Sequence, residues 1–138
     1  MQQKLAVVIL NYNGKNFLEK FLADIVSFSS PHTVIVADNA STDDSISFLK
    51  SNFPKVNLIQ NSTNTGYAGG YNEALKQVDA EYYILINNDV EVKANWIQPL
   101  LELMESDPKI GACQPKLLDQ KNSRLFEYAG GSGGFIDN

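Results

Sequence analysis

The stretch Tyr82–Glu91, YYILINNDVE, decides the fold because an apolar run stops abruptly at three polar residues. The run Tyr82–Ile86 has the length of a strand, and its unbroken apolar character predicts burial on both faces of a parallel sheet. Asn87, Asn88 and Asp89 follow at the carboxyl end of that strand, where open parallel sheets bind their ligands. Oxygen atoms of such residues suit a hard divalent cation. The stretch therefore predicts a ligand pocket around Asp89.

The rest of the chain alternates between apolar runs and segments with helical spacing. Strands are predicted at Leu5–Leu10, Thr33–Ala37, Val56–Ile59, Tyr82–Ile86, Ile110–Gln114 and about Leu125–Tyr128. Helices are predicted from about Asn16, after a capping box of Ser41 and Asp44, after Gly66, and from an N-cap at Asn95 to Ser106. Alternating strands and helices predict right-handed crossovers and a mainly parallel α/β sheet.

The composition limits the classes of function. A length of 138 residues suits one domain, and a net charge of −5 without a Lys/Arg cluster argues against a nucleic-acid partner. Cys113 is the only cysteine, so an intrachain disulfide is impossible and a reducing compartment is favoured. No apolar run approaches the roughly 20 residues of a transmembrane helix. We therefore expect no transmembrane segment and a cytoplasmic location.

Further candidate ligand residues follow the first two predicted strands. Asp38 ends the second strand, where an acidic residue accepts hydrogen bonds from a ribose or base, or serves as an ordinary turn aspartate. Together with Asp89 it places two carboxylates at one sheet edge, which favours a ligand role. Tyr12 either stacks on a nucleobase or lies at the surface. Asn11 and Asn13 either bind the ligand or form the turn.

Three glycines, Gly66, Gly69 and Gly70, surround the start of the third predicted helix. Glycine there costs about 1 kcal/mol relative to alanine, which predicts close approach of a ligand or a neighbouring strand. Gly66 would allow a phosphate to reach the helix N-terminus. Neither GxxxxGK[ST] nor GxGxxG is present, so the phosphate loop and the dinucleotide fingerprint are both absent.

Four motifs in this order, VVILNYNG, VIVADNASTDDS, NTGYAGGYNEAL and YILINNDVEV, resemble those of family 2 glycosyltransferases. The similarity is to rhamnosyltransferase-like members and runs from about residue 5 to residue 131. It implies a GT-A fold, a Rossmann-like three-layer α/β/α sandwich with a mainly parallel sheet. It also implies a nucleotide-diphosphate sugar donor with Mg²⁺ or Mn²⁺ as cofactor.

The resemblance also assigns residues to roles. Tyr12 falls where the family stacks the nucleobase, and Asp38 falls where the base or ribose edge is bound. Asp89 matches the last acidic residue of the family's DxD motif, the metal ligand, and it is the only carboxylate in NND. The full expected nucleotide-sugar-binding set is Asn11, Tyr12, Asn13, Asp38, Gly66, Asn72, Asn87 and Asn88.

The resemblance lacks its usual continuation. Family members carry an acidic catalytic base in a Glu-Asp motif, which Gly130–Asn138 does not contain. We expect residues 1–138 to be the nucleotide-sugar-binding part of a GT-A domain, truncated at the C-terminus and inactive alone, with the base beyond Asn138. The full enzyme is expected to be inverting. It would transfer sugar to a saccharide or lipid-linked acceptor in surface polysaccharide synthesis, at the inner face of the membrane.

Two other classes of protein stay open from the sequence. A nucleotidyltransferase-like enzyme would need a glycine-rich basic segment after the first strand, where NYNGKN has only Lys15. A non-catalytic module of the same fold would bind a nucleotide or a partner protein, and the single carboxylate of NND is compatible with it.

Overall fold

The computed structural model describes residues 3–128, which form two compact units with a boundary between Asn95 and Trp96. The first unit contains β1 (Gln3–Asn11), α1 (Lys15–Ser29), β2 (Thr33–Asp38), α2 (Ser45–Asn52), β3 (Asn57–Gln60), α3 (Gly66–Leu75) and β4 (Ala80–Asn87). The second contains α4 (Gln98–Ser106), β5 (Leu117–Leu118) and β6 (Phe126–Tyr128). The predicted tail Gly130–Asn138 lies outside the described residues.

The sheet of the first unit has the order β3-β2-β1-β4, and every pair in it is parallel. This arrangement confirms the predicted α/β class. The chain moves outward from β1 to β3 and then returns to the other side of β1. Because such crossovers are right-handed, α1 and α2 cover one face of the sheet and α3 covers the opposite face. The strand order reverses between β1 and β4, which is where open α/β sheets bind ligands.

The core is centred on β1, whose residues 5–9 are all buried. On one face, Ala6 and Val8 pack in a cluster with Tyr71 and Ala74 of α3. Neighbouring residues of a strand point to opposite faces, so Val7 belongs to the other side of the sheet. The two-sided burial that an unbroken apolar run predicts is therefore found in the central strand.

The same prediction is wrong for β4. Tyr83 is 41% exposed and Leu85 is 47% exposed, whereas Ile86 is buried. The physical reason is position: β4 is an edge strand within residues 3–128, and α3 packs mainly on β1 and β2. Leu85 pairs with the fully buried Val8, so a single step across the sheet changes the environment of the side chain.

The predicted capping box does not form. Helix α2 begins at Ser45, and its N-cap residue Asp44 makes no side-chain cap hydrogen bond. The Ser41 hydroxyl instead accepts a hydrogen bond from the Asn13 N–H at 2.9 Å. The hydroxyl is therefore used to join the loops that follow β1 and β2.

The second unit departs further from the sequence predictions. Helix α4 starts at Gln98 after Ile97, so Asn95 is not its N-cap. The strand predicted at Ile110–Gln114 is wrong, because this segment has no regular structure, and the ladder that forms is the antiparallel pair β5–β6. A strand propensity has no effect without a neighbouring strand to pair with. The predicted last strand is confirmed as β6. Among residues 3–128, no helix has both the length and the apolar character needed to span a bilayer.

Candidate functional site

A cleft of about 320 Å³ lies in the first unit, where the carboxyl ends of β1, β2 and β4 meet the start of α3. It is lined by Leu10, Tyr12, Asn39, Asn64, Gly66, Tyr67, Asn87, Asn88 and Asp89. The cleft coincides with the reversal of strand order, and most of its lining is polar or aromatic. A second hollow, of about 290 Å³, lies beside β3 and α2 but is lined mainly by apolar residues such as Leu49 and Phe53. We therefore take the first as the candidate ligand site.

Two tyrosines line the cleft from different elements. Tyr12 follows β1 and is 49% exposed, and Tyr67 lies in the first turn of α3 and is 63% exposed. Tyr67 packs edge-on against Tyr71, with ring centroids 5.1 Å apart. Burial raises the pKa of Tyr71, whose hydroxyl donates to the Ile86 carbonyl at 2.9 Å. Tyr67 was not predicted, although its place directly after Gly66 would have indicated it.

The turn after β4 supplies oxygen atoms to the cleft. Asn87 and Asp89 are exposed, and Asn88 is half-buried. No group of three His, Cys, Asp or Glu residues in the described part of the chain is placed to hold a metal ion. The available protein donors are thus one carboxylate with neighbouring amide oxygens. Such a set fits a hard cation that takes its remaining ligands from water or phosphate.

Asn11 and Asp38 lie behind the cleft and are fully buried. The Asn11 amide nitrogen donates to the Asp38 carboxylate at 3.0 Å and to the Ser41 hydroxyl at 3.2 Å. The second Asp38 oxygen accepts the Ser41 N–H at 2.8 Å. Asp38 is not among the residues that line the cleft. In this structure its carboxylate joins β1 to β2.

Asn13 joins the same two loops. Its side-chain oxygen accepts the N–H groups of Thr42 at 2.7 Å and Asp43 at 3.2 Å, and its own φ is 49°. Asparagine tolerates this left-handed conformation better than most residues. The Asn13 side chain therefore supports the turn beside Tyr12.

Asn39 and Asn64 line the cleft but were not predicted. Asn39 is 2% exposed, and its amide nitrogen donates to the Asn64 side-chain oxygen at 2.9 Å and the Gly66 carbonyl at 3.1 Å. Its own side-chain oxygen accepts from Asn61 at 3.0 Å. These bonds connect β2 to the loop before α3. The position of Asn39 directly after Asp38 was the available signal.

Gly66 and Gly70, at the start of α3, are suited to their positions for different reasons. Gly66 has a φ of 75°, which favours glycine, and no atom lies near the position of an added Cβ. A Cβ on Gly70 would come within 2.9 Å of both the Asn39 amide nitrogen and Leu10. Gly70 thus allows close packing on the strand ends. Asn72, two residues further along α3, is exposed and does not line the cleft.

The fold and the cleft define an α/β protein with a polar cleft where the strand order reverses. The sequence model described as glycosyl transferase family 2 matches residues 6–132, and the chain belongs to that family. It is 30% identical over 135 residues to an N-acetylglucosaminyl-diphospho-decaprenol L-rhamnosyltransferase of Mycobacterium tuberculosis. That match covers 89% of this chain and 44% of the relative, so the chain spans less than half of that protein's length.

Solved structures share the fold. A mannosyltransferase from Pyrobaculum calidifontis, in complex with GDP-Man and Mn²⁺, aligns with a TM-score of 0.70 at 23% identity over 80% of this chain and 34% of its own. Staphylococcus aureus TarS 1-349 in complex with UDP-GlcNAc aligns with a TM-score of 0.66 at 21% identity, over 86% of this chain and 38% of its own. These likenesses confirm the GT-A α/β fold.

Proposed function

We propose that this chain is the donor-binding part of a glycosyltransferase that uses a nucleotide-diphosphate sugar. The observation that carries the proposal is the cleft at the ends of β1 and β4, which Tyr12, Gly66 and Asp89 line from three segments. Aromatic, helix-terminal and carboxylate groups match the base, diphosphate and cation of such a donor. Family membership and the donor complexes of two structural neighbours support the same assignment.

The turn after β4 is proposed to hold Mg²⁺ or Mn²⁺. Asp89 would supply the carboxylate, and Asn87 and Asn88 would supply amide oxygens. When bound, such a cation neutralises charge on the diphosphate as it departs. The Mn²⁺ in the mannosyltransferase complex supports the type of cofactor.

The nucleotide itself is proposed to lie between the strand ends and α3. The exposed ring of Tyr12 offers a stacking face to a base. The first turn of α3, whose N-cap Thr65 makes no side-chain cap hydrogen bond, offers the positive end of the helix to phosphate oxygens. Asn39, at the end of β2, is the lining residue nearest in sequence to the predicted base-reading position.

The reaction is proposed to invert the anomeric carbon. A base beyond Asn138 would take the proton of an acceptor hydroxyl, whose oxygen forms a bond to that carbon. The bond to the nucleotide diphosphate breaks, and the diphosphate leaves with the electron pair. Residues 3–128 would contribute donor binding and leaving-group stabilisation.

The acceptor is proposed to be a saccharide or lipid-linked sugar of surface polysaccharide synthesis. The name of the mycobacterial relative, which includes a diphospho-decaprenol-linked sugar, supports a lipid-linked acceptor. An acceptor of that kind would place the reaction at the inner face of the membrane. The single cysteine is compatible with that cytoplasmic location.

The deciding experiment is calorimetric titration of the 138-residue chain with UDP, dTDP and GDP, with Mn²⁺ and then with EDTA. We expect one nucleotide to bind more tightly with Mn²⁺ than with EDTA, and we expect Asp89→Ala to lose this gain while remaining folded. A nucleotide affinity that changes neither on adding EDTA nor in Asp89→Ala would favour the non-catalytic module. Release of pyrophosphate from a sugar phosphate and a nucleoside triphosphate would favour the nucleotidyltransferase.

A further inference from the structure

Three side chains form a continuous hydrogen-bonded row behind the cleft. Asp38, at the end of β2, accepts from the Asn11 amide nitrogen at 3.0 Å. Asn11, at the end of β1, accepts through its side-chain oxygen from the amide nitrogen of Asn88 at 2.8 Å. Asn88 follows β4 and lines the cleft. The row therefore runs from a fully buried carboxylate to a residue of the ligand site.

The row has a direction. A carboxylate only accepts hydrogen bonds, so Asp38 holds the nitrogen of the Asn11 amide and turns its oxygen the other way. That oxygen can only accept, so it holds the nitrogen of the Asn88 amide. The Asn88 oxygen then points away from Asn11. Each amide is thus fixed by the hydrogen bonds of its neighbour rather than by its own shape.

Packing holds the row in place as well. An added Cβ on Gly14 would lie 2.0 Å from the Asn88 amide nitrogen and 2.5 Å from the Asn11 side-chain oxygen. The meeting point of the two amides is thus seated directly against the backbone of Gly14. A side chain at that position would displace the Asn88 amide from Asn11.

We infer that Asn11 and Asp38 are positioning residues, which act through Asn88 so that its amide presents oxygen, and not nitrogen, beside Asp89. The inference rests on the proposed function, because the oxygen would serve the cation or a donor hydroxyl of the ligand. It also separates two roles: Asp38 sets the polarity of the site from behind, and Asp89 meets the ligand. Groups that orient metal ligands in this way typically change metal affinity about 10–100-fold.

The row itself is tested by NMR of the ligand-free chain. The Asn88 side-chain amide signals are identified by their loss in Asn88→Ala. We expect their hydrogen exchange to be slower than that of Asn72, which is exposed on α3 and makes no side-chain hydrogen bond within residues 3–128. Equal exchange rates for the Asn88 and Asn72 side chains would show that the hydrogen-bonded row does not form. This test needs no variant of Asp38.

The polarity is tested with Asp38→Asn, in which an amide of either orientation can face Asn11. The matched control is Asp43→Asn, because Asp43 also accepts two N–H hydrogen bonds, both from the backbone of Lys15 and Ser45, but has no bond to the row. We expect Asp38→Asn alone to shift the Asn88 amide signals. We also expect it to weaken nucleotide binding in Mn²⁺ about 10-fold, while metal-free binding keeps its wild-type value.

The outcomes separate the two proposals. Loss of metal-free and metal-dependent binding in equal proportion would show a merely structural role for Asp38 and overturn the inference. If Asp38→Asn binds the nucleotide as tightly as the wild type does in Mn²⁺, the inference is also overturned, but the proposed function is not affected. A wild type that binds no nucleotide would instead refute the proposed function, and the exchange of the Asn88 amide would still decide whether the row exists.

Discussion

Asp38 and Asp89 both lie at the carboxyl ends of parallel strands, Asp38 as the last residue of β2 and Asp89 two residues after β4, but their environments are opposite. Asp38 is fully buried and accepts hydrogen bonds from Asn11 and Ser41. Asp89 is exposed in the cleft, and its carboxylate makes no hydrogen bond within residues 3–128. One carboxylate is occupied by the protein, and the other is available to a ligand.

The difference teaches that the end of a strand offers an acidic residue two kinds of role. A central strand such as β2 has neighbours on both sides, so its last residue is enclosed by the loops that follow them. The edge strand β4 has one neighbour among the described residues, so its last residues remain open. Position in the sheet, which the sequence does not state, separates the two.

The largest expected effect is on stability. Asp38→Ala should lower the free energy of unfolding by about 3 kcal/mol, because the buried Asn11 amide loses one of its two acceptors and the part-buried Ser41 N–H loses its own. Asp89→Ala should change it by less than about 0.5 kcal/mol, since the side chain is exposed. Urea denaturation of both variants measures this contrast. Similar losses in the two would show that the carboxylates do not differ as described.

Gly14→Ala tests the contact between the buried Asn11 and Asn88, which lines the cleft. The added methyl group would overlap the Asn88 amide nitrogen, so we expect a loss of about 2 kcal/mol from overpacking. Gly111→Ala is the matched control, because no atom lies within 4 Å of its Cβ position. Thermal unfolding of the pair gives the measurement, and equal melting temperatures would contradict the close contact at Gly14.

Tyr12→Ala changes a residue of the cleft that takes no part in the buried hydrogen bonds of Asp38. We expect nucleotide affinity to fall about 10-fold, since stacking of a base on an aromatic ring contributes roughly 1–3 kcal/mol. Stability should be nearly unchanged, because Tyr12 is 49% exposed. Tyr12→Phe keeps the ring and should keep the affinity. Calorimetric titration compares the two, and equal affinities for Tyr12→Ala and wild type would remove the stacking role.

The smallest expected effect concerns acid stability. Desolvation alone would raise the pKa of Asp43, but hydrogen bonds from Ser45 and from the Lys15 N–H outweigh it and lower this pKa from 3.8. Because the folded pKa is the lower one, the stabilisation is complete above the unfolded value and is lost as the pH falls below about 3.8. Asp43→Asn should therefore flatten the stability profile slightly below this pH in denaturation series. An unchanged acid limb would show that these bonds do not couple to protonation.

The sequence predicted the first unit well because its strands are unbroken apolar runs separated by clear turn residues. The predicted strand at Leu5–Leu10 lies within β1, and the turn Asn87–Asp89 lines the cleft. The roles of individual polar residues were harder to predict. Whether Asp38 faces a ligand or Asn11 depends on loop geometry, and the entry of Asn39 and Tyr67 into the cleft depends on the crossing of α3 over the sheet.

The second unit was predicted less well, and for a physical reason. Ile110–Gln114 has the apolar character of a strand, but strand formation requires a partner, which a local pattern cannot supply. The Asn95 N-cap failed because the chain takes a left-handed turn there, with a φ of 61°, before α4 begins. Local propensity located the helix but not its first residue.

The hydrogen bond between Asn88 and Asn11 spans 77 residues, and this separation has a consequence for how the protein is made. A chain emerging from the ribosome can pair β1 with β2 early, but β4 must be synthesised before it can join β1. Closing so long a loop costs conformational entropy, so we expect β4 to pair with β1 late in folding. Until then, the binding cleft does not exist, so a nascent chain that ends before β4 has a partial sheet and no site.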